Sequence, residues 1–112
     1  MTGGRAVNAT IWHNPRCSKS RAALALLQEH GALVTVVEYL RDPPSRAELA
    51  RMFARAGVSA RDALRPDAPA FDSDDAALDA LTANPPLLER PFVETERGAA
   101  LCRPPERVLD LL

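Results

Sequence analysis

At 112 residues, 46% of them apolar and 26% charged, the chain has the size of one globular domain with a modest core, and no stretch approaches the roughly 20 apolar residues that span a bilayer. A formal net charge of -1 gives no bulk attraction to nucleic acid or to an anionic membrane. Cys17 and Cys102 are too few for a secreted disulfide framework, and with His13 and His30 they lack zinc-ligand spacing, so no metal is expected.

The opening MTGGRAVNA lacks the apolar run of a secretory leader, which makes the cytoplasm the expected location. Residues 9–13, ATIWH, read as a short buried strand stopped by Asn14-Pro15. Residues 18–29, SKSRAALALLQE, read as a helix with Ala23, Leu24 and Leu27 on one face and Gly31 as its C-cap. LVTVVEYL (33–40) is β-branched and apolar, a second strand. Asp42-Pro43-Pro44 breaks the chain; Ser45, with Glu48 three residues on, predicts a capping box for a helix ending at Gly57. A short helix is expected from Ser59 through VSARDALR, and another begun by Ser73 or Asp74 and stopped by Asn84-Pro85-Pro86. FVET (92–95) and AALCR (99–103) form a strand pair joined around Gly98, and PPERVLDLL closes the chain as a helix with proline near its first turn. The order is β-α-β, helices, then β-β-α. It predicts an α/β sandwich on one small mixed sheet, the thioredoxin-like order, in a single domain over 1–112 with a helical insertion over 45–84.

Cys17 falls at the junction of the first strand and the first helix. The first amides of a helix are unpaired and carry partial positive charge, so the junction is a natural anion site. A thiol there is expected to titrate below the free value of about 8.5. Arg16 and Lys19 add positive charge, Ser20 is placed to donate a hydrogen bond to the sulfur, and His13 adds to the field if protonated. Position alone leaves two readings open, a nucleophile or a small core hydrophobe. Cys17-Ser18-Lys19-Ser20 is C-x-x-S, with no resolving thiol one turn away, and Ala23 stands where a C-x5-R phosphatase loop has arginine. If Cys17 acts, an outside thiol must finish its cycle.

HNPRCSKSRAAL (13–24) resembles the active-site signature of glutaredoxin-coupled arsenate reductases, in the ArsC/Spx family of thioredoxin-fold proteins. YLRDPPSRAEL (39–49), VSARDALR (58–65), NPPLLERPFV (84–93) and GAALCRPPERVLDLL (98–112) resemble later family stretches in the same order. The resemblance implies that Cys17 is the nucleophile forming a thiolate-arsenate adduct. It implies that Arg65, Arg90 and Arg103 are the oxyanion-binding arginines, that His13, Asn14 and Ser20 activate the thiol or shape its loop, and that Pro91 is the cis-proline facing the cysteine. Three guanidiniums suit an oxyanion, which they bind through charge-assisted, often bidentate hydrogen bonds.

Thirteen of the 14 basic residues are arginine, so these three gain their meaning from the motifs around them. Pro66-Asp67 biases Arg65 toward extended backbone and sets a carboxylate beside it. Arg16 and Arg21 read as solvated or salt-bridged, Cys102 as a half-buried strand residue, His30 as a favourable charge at a helix C-terminus, and Trp12 as core. The implied function is cytoplasmic reduction of arsenate, with glutathione as co-substrate, glutaredoxin as partner and no bound cofactor; a monomer is expected because the sequence shows no sustained apolar surface stripe. Two alternatives are a non-enzymatic Spx-like regulator that binds RNA polymerase and a glutathione-dependent thiol reductase acting on another substrate. Ser20 in place of a second cysteine argues against the first, and the retention of all three arginines against the second.

Overall fold

Ile11 and Trp12 are adjacent in sequence, pack into different apolar clusters, and are both buried, at 0% and 3% exposure. Successive strand residues face opposite ways, so a strand buried at both positions lies at the centre of a sheet covered on both sides. The computed structural model, which describes residues 6–112, has that arrangement. The first five residues, part of the MTGGRAVNA stretch and of the expected 1–112 domain, lie outside the described residues.

Strand β1 (Asn8–His13) pairs in parallel with β2 (Leu33–Glu38) and antiparallel with β3 (Phe92–Thr95), which pairs antiparallel with β4 (Gly98–Leu101). The sheet order is β2-β1-β3-β4, the small mixed sheet expected from the sequence, and the α/β architecture is thioredoxin-like. Helix α1 (Ser18–Glu29) and the C-terminal segment cover one face, where Ile11, Ala23, Leu27, Val93 and Val108 form one core. Helices α2 (Arg46–Ala56) and α3 (Asp74–Ala83) cover the other, where Trp12, Phe92, Met52, Phe53 and Leu81 form the second. The Phe92 ring centroid lies 5.9 Å from that of Trp12 and 5.4 Å from that of Phe53, both tilted, within the range of favourable edge-on contacts.

The helix ends follow their capping residues. Ser45 Oγ accepts from the Glu48 amide at 3.1 Å and Ser73 Oγ from the Ala76 amide at 3.1 Å, each cap contributing about 1 kcal/mol. The reciprocal half of the expected capping box is not made, because the Glu48 carboxylate pairs with Arg51. Gly57 ends α2 at φ +70°, backbone that a β-carbon disfavours.

Three expectations are corrected. VSARDALR forms no helix: it makes a turn in which the Ala63 amide bonds to Ser59 and Ala60 carbonyls, after which Leu64 bridges to Leu88. Pro66 lacks an amide hydrogen and holds Arg65 extended, and pairing with the segment before β3 takes the backbone bonds a helix would have used. The C-terminal helix is 3-10 rather than α (Pro105–Leu111). Its buried residues Pro105, Val108 and Leu111 recur every third position, which three residues per turn aligns on one face. β2 also stops two residues early, and a turn at Glu38–Arg41 carries Tyr39 into the core.

Candidate active site

The strand registers assemble the site. Trp12 is opposite Phe92 and Phe92 is opposite Leu101. Beyond the strand ends the β3–β4 row places Arg103 against Arg90, while β1 runs on through His13 into the loop that carries Cys17. Two hydrogen bonds carry the row onward, from the Cys102 amide to the Pro91 carbonyl at 2.8 Å and from Arg103 Nη1 to the Arg90 carbonyl at 3.0 Å. The Arg90–Pro91 bond is cis, and so is Arg103–Pro104.

Cys17 is the N-cap residue of α1, in extended backbone and 8% exposed. Burial alone would push its thiol up. The amides of Ser20 and Lys19 and the Arg90 guanidinium outweigh that effect and hold the thiol below its ordinary value. This is the helix-start effect expected from position, with Arg90 supplied from a distant segment.

The loop before Cys17 is held from within. Asn14 accepts from the Cys17 amide through its carbonyl and from the Arg16 amide through Oδ1, both at 3.0 Å, a turn that asparagine favours. Ser20, fully buried, accepts from the Asn14 amide at 3.0 Å and shares a 2.6 Å hydrogen bond with His13 Nδ1. Its hydroxyl is thus used on the loop, while its amide faces the sulfur. Burial pulls His13 below the usual imidazole range, with Glu38 opposing and Arg21 adding to the pull. Burial thus works against the protonated imidazole that would have added positive charge beside the thiolate.

The arginines differ in placement. Arg90 has a side chain 16% exposed, its Nη1 donates to Glu89 Oε1 at 2.9 Å, and its Nε is buried with no hydrogen-bond partner. Arg103 anchors on the Arg90 carbonyl and has Nε 3.8 Å from Glu89 Oε2. The Arg65 amide donates to the Leu87 carbonyl at 2.9 Å, and its Nε lies 3.4 Å from Asp67 Oδ1, close enough for an ion pair but out of line for a hydrogen bond. The carboxylate expected beside Arg65 is therefore there, and Arg65 is within electrostatic range of the same Tyr39 hydroxyl that senses Arg90 and Cys17.

Tyr39 and Glu89 complete the site and were not singled out from the sequence. Tyr39 is 1% exposed; burial raises its phenol while the Asn14 side chain and Arg90 oppose the rise, so it stays protonated and available as a donor. Its signal was its place in YLRDPP, where it reads as the end of a strand. Glu89 is a carboxylate inside an apolar run, LLERPF, an anomaly that is itself a signal. Of the other residues, Arg21 donates to the Pro15 carbonyl at 2.9 Å and His30 Nδ1 lies 2.9 Å from the Leu26 carbonyl. Cys102 is completely buried rather than half-buried, its thiol pushed up to about 12 by burial, because it follows β4 into the core under α1. Among the described residues no cluster of three or more His, Cys, Asp or Glu side chains is placed to hold a metal, and no helix is long and apolar enough to cross a membrane.

Residues 12–111 match the ArsC family. The chain is 46% identical to an arsenate reductase of Rhizobium meliloti (strain 1021), over 95% of this chain and 82% of that protein. It is 38% identical to an arsenate reductase of Escherichia coli (strain K12), over 94% and 81%. The solved structure of an arsenate reductase from Vibrio cholerae superposes with a TM-score of 0.89 at 38% identity, covering 96% of this chain and all of that one.

Proposed function

The chain belongs to the ArsC family, and we propose that it reduces arsenate to arsenite with Cys17 as its single nucleophile. The observation that carries this reading is the pairing of a depressed thiol at a helix start with Arg90, whose buried Nε lacks a partner. The names borne by relatives at 38–46% identity support the substrate.

Arsenate binds with its oxygens on Arg90, Arg103 and Arg65, the Cys17 thiolate attacks arsenic to form the S–As bond, and one arsenate hydroxyl takes a proton from solvent and leaves as water. The helix amides that lower the thiol also face the incoming anion, and the guanidiniums offset charge as it shifts. A glutathione thiolate then attacks the Cys17 sulfur. The S–As bonding pair passes to arsenic, As(V) becomes As(III), arsenite leaves, and a Cys17–glutathione disulfide remains. Glutaredoxin reduces that disulfide, a step needed because Ser20 occupies the position of a resolving cysteine. His13, Asn14 and Ser20 shape the thiol's loop. The protein works as a cytoplasmic monomer with no prosthetic group.

The test is arsenite production by purified protein given arsenate, glutathione, glutaredoxin and a recycling system. Turnover is expected, and Cys17→Ser abolishes it. No arsenite from folded protein whose Cys17 still alkylates at low pH refutes the reading.

A further inference from the structure

We propose that Glu89 is the positioning residue of the oxyanion arginines, a buried carboxylate that fixes Arg90 and Arg103 relative to Cys17 without itself holding the anion. The inference rests on the oxyanion-binding reading above and extends it to a residue outside the expected set.

Four contacts carry it. The Glu89 side chain is 11% exposed, and its Oε1 accepts from Arg90 Nη1 at 2.9 Å while Oε2 lies 3.8 Å from Arg103 Nε. The Glu89 amide donates to the Ala63 carbonyl at 2.8 Å, beside the bond from the Arg65 amide to Leu87, so the carboxylate stands on the same clasp that carries Arg65. Arg103 in turn holds the Arg90 carbonyl at 3.0 Å. Two half-buried guanidiniums this close repel one another, and burial makes an unpaired charge costly. One carboxylate between them offsets part of that repulsion. It also fixes the rotation of the Arg90 fork: Nη1 is occupied by Glu89, and the buried, unpartnered Nε is left as a donor.

A bystander carboxylate predicts the opposite of a positioning one, and this makes the proposal testable. If Glu89 merely sat near the site, removing its negative charge would strengthen anion binding and lower the Cys17 thiol further. If it positions the arginines, removing it lets Arg90 turn toward solvent, which weakens anion binding and raises the thiol.

The experiment uses wild type, Glu89→Gln and Glu89→Ala. Iodoacetamide alkylation of Cys17 is followed by mass spectrometry across pH, with and without inorganic phosphate, a non-reducible stand-in for arsenate. The expected result is that the phosphate concentration giving half-protection rises about tenfold or more in both variants, as loss of a charge-assisted anchor implies. The midpoint of alkylation without phosphate also shifts upward. Stronger or unchanged protection, or a midpoint that falls or stays put, overturns the proposal. If Glu89→Ala fails to fold, the nearly isosteric Glu89→Gln decides. If neither phosphate nor arsenate protects the wild type, the oxyanion reading itself fails, and the direction of the midpoint shift still decides whether Glu89 places Arg90.

Discussion

Replacing Ser20 with alanine separates two roles that the sequence leaves merged, donor to the sulfur and brace of the loop. The Ser20 hydroxyl makes a 2.6 Å bond with His13 Nδ1, where both residues are buried, and accepts from the half-buried Asn14 amide at 3.0 Å. Removal strands a buried imidazole nitrogen, at about 1–3 kcal/mol, and frees an amide that water partly satisfies, at about 0.5–1.5 kcal/mol. The sum is about 1.5–4.5 kcal/mol. For a domain of this size, urea unfolding with a slope of about 1–2 kcal/mol/M moves its midpoint down by about 1–4 M. Because the Ser20 and Lys19 amides and Arg90 depress the thiol, the midpoint of Cys17 alkylation stays where it is. A variant that unfolds like wild type but whose Cys17 midpoint rises clearly would show that the hydroxyl acts on sulfur, and would refute the loop-brace account.

Arg90→Leu removes a cation facing the sulfur, so the alkylation midpoint of Cys17 moves up and labelling at neutral pH slows several-fold; an unmoved midpoint would contradict the geometry. Glu94 is held down at about 2, chiefly by hydrogen bonding to Arg51 with Arg55 adding to it. A depressed carboxyl stabilises the fold above its unfolded value and loses that contribution as pH falls through the folded one. Glu94→Gln therefore destabilises the protein at pH 7 by about 1–2 kcal/mol, discounted for the partial exposure of the arginines. The difference shrinks between pH 4.5 and about 2 in acid-unfolding curves; a difference constant across that range would contradict it. Phe92, wholly buried between Trp12 and Phe53, costs about 3–5 kcal/mol as alanine in denaturant unfolding. Cys102, buried and held up at about 12, stays unlabelled in native protein while Cys17 reacts, and labelling of both at similar rates would show that it is misplaced.

The elements best read from sequence are those whose ends are marked by local chemistry. Helix α1 runs over 18–29 and β3 over 92–95 as expected, and Ser45, Gly57 and Ser73 end or begin their helices because caps act within four residues. Ser59 misled for the same reason. Its side chain does accept from the Asp62 amide at 3.1 Å, but residues 63–65 then pair with residues 87–89 instead of continuing a helix, and that pairing is long-range. The site shows the same division. Cys17 was legible because a strand-helix junction is a local feature, whereas its distance from Arg90 depends on the β1–β3 register, and the arginines emerged through family resemblance rather than spacing. Tyr39 reads as the end of an apolar strand, and Glu89, though out of place after Leu87-Leu88, has no local feature that names its partners; only the fold brings the phenol and the carboxylate to the site. His13 was expected to add to the field only if protonated, and the burial that disfavours its charged form is not written in the neighbouring residues.

In the proposed cycle one thiol reduces arsenate and is then rescued from outside. The most direct test is a single turnover with arsenate and limiting glutathione, glutaredoxin omitted, followed by arsenite quantification and mass mapping of the protein. One arsenite per protein and one glutathione on Cys17 are expected, with Cys102 unmodified and no further turnover until glutaredoxin is added. Repeated turnover without glutaredoxin through an intramolecular Cys17–Cys102 disulfide, or arsenite formed with Cys17 unmodified, would contradict it.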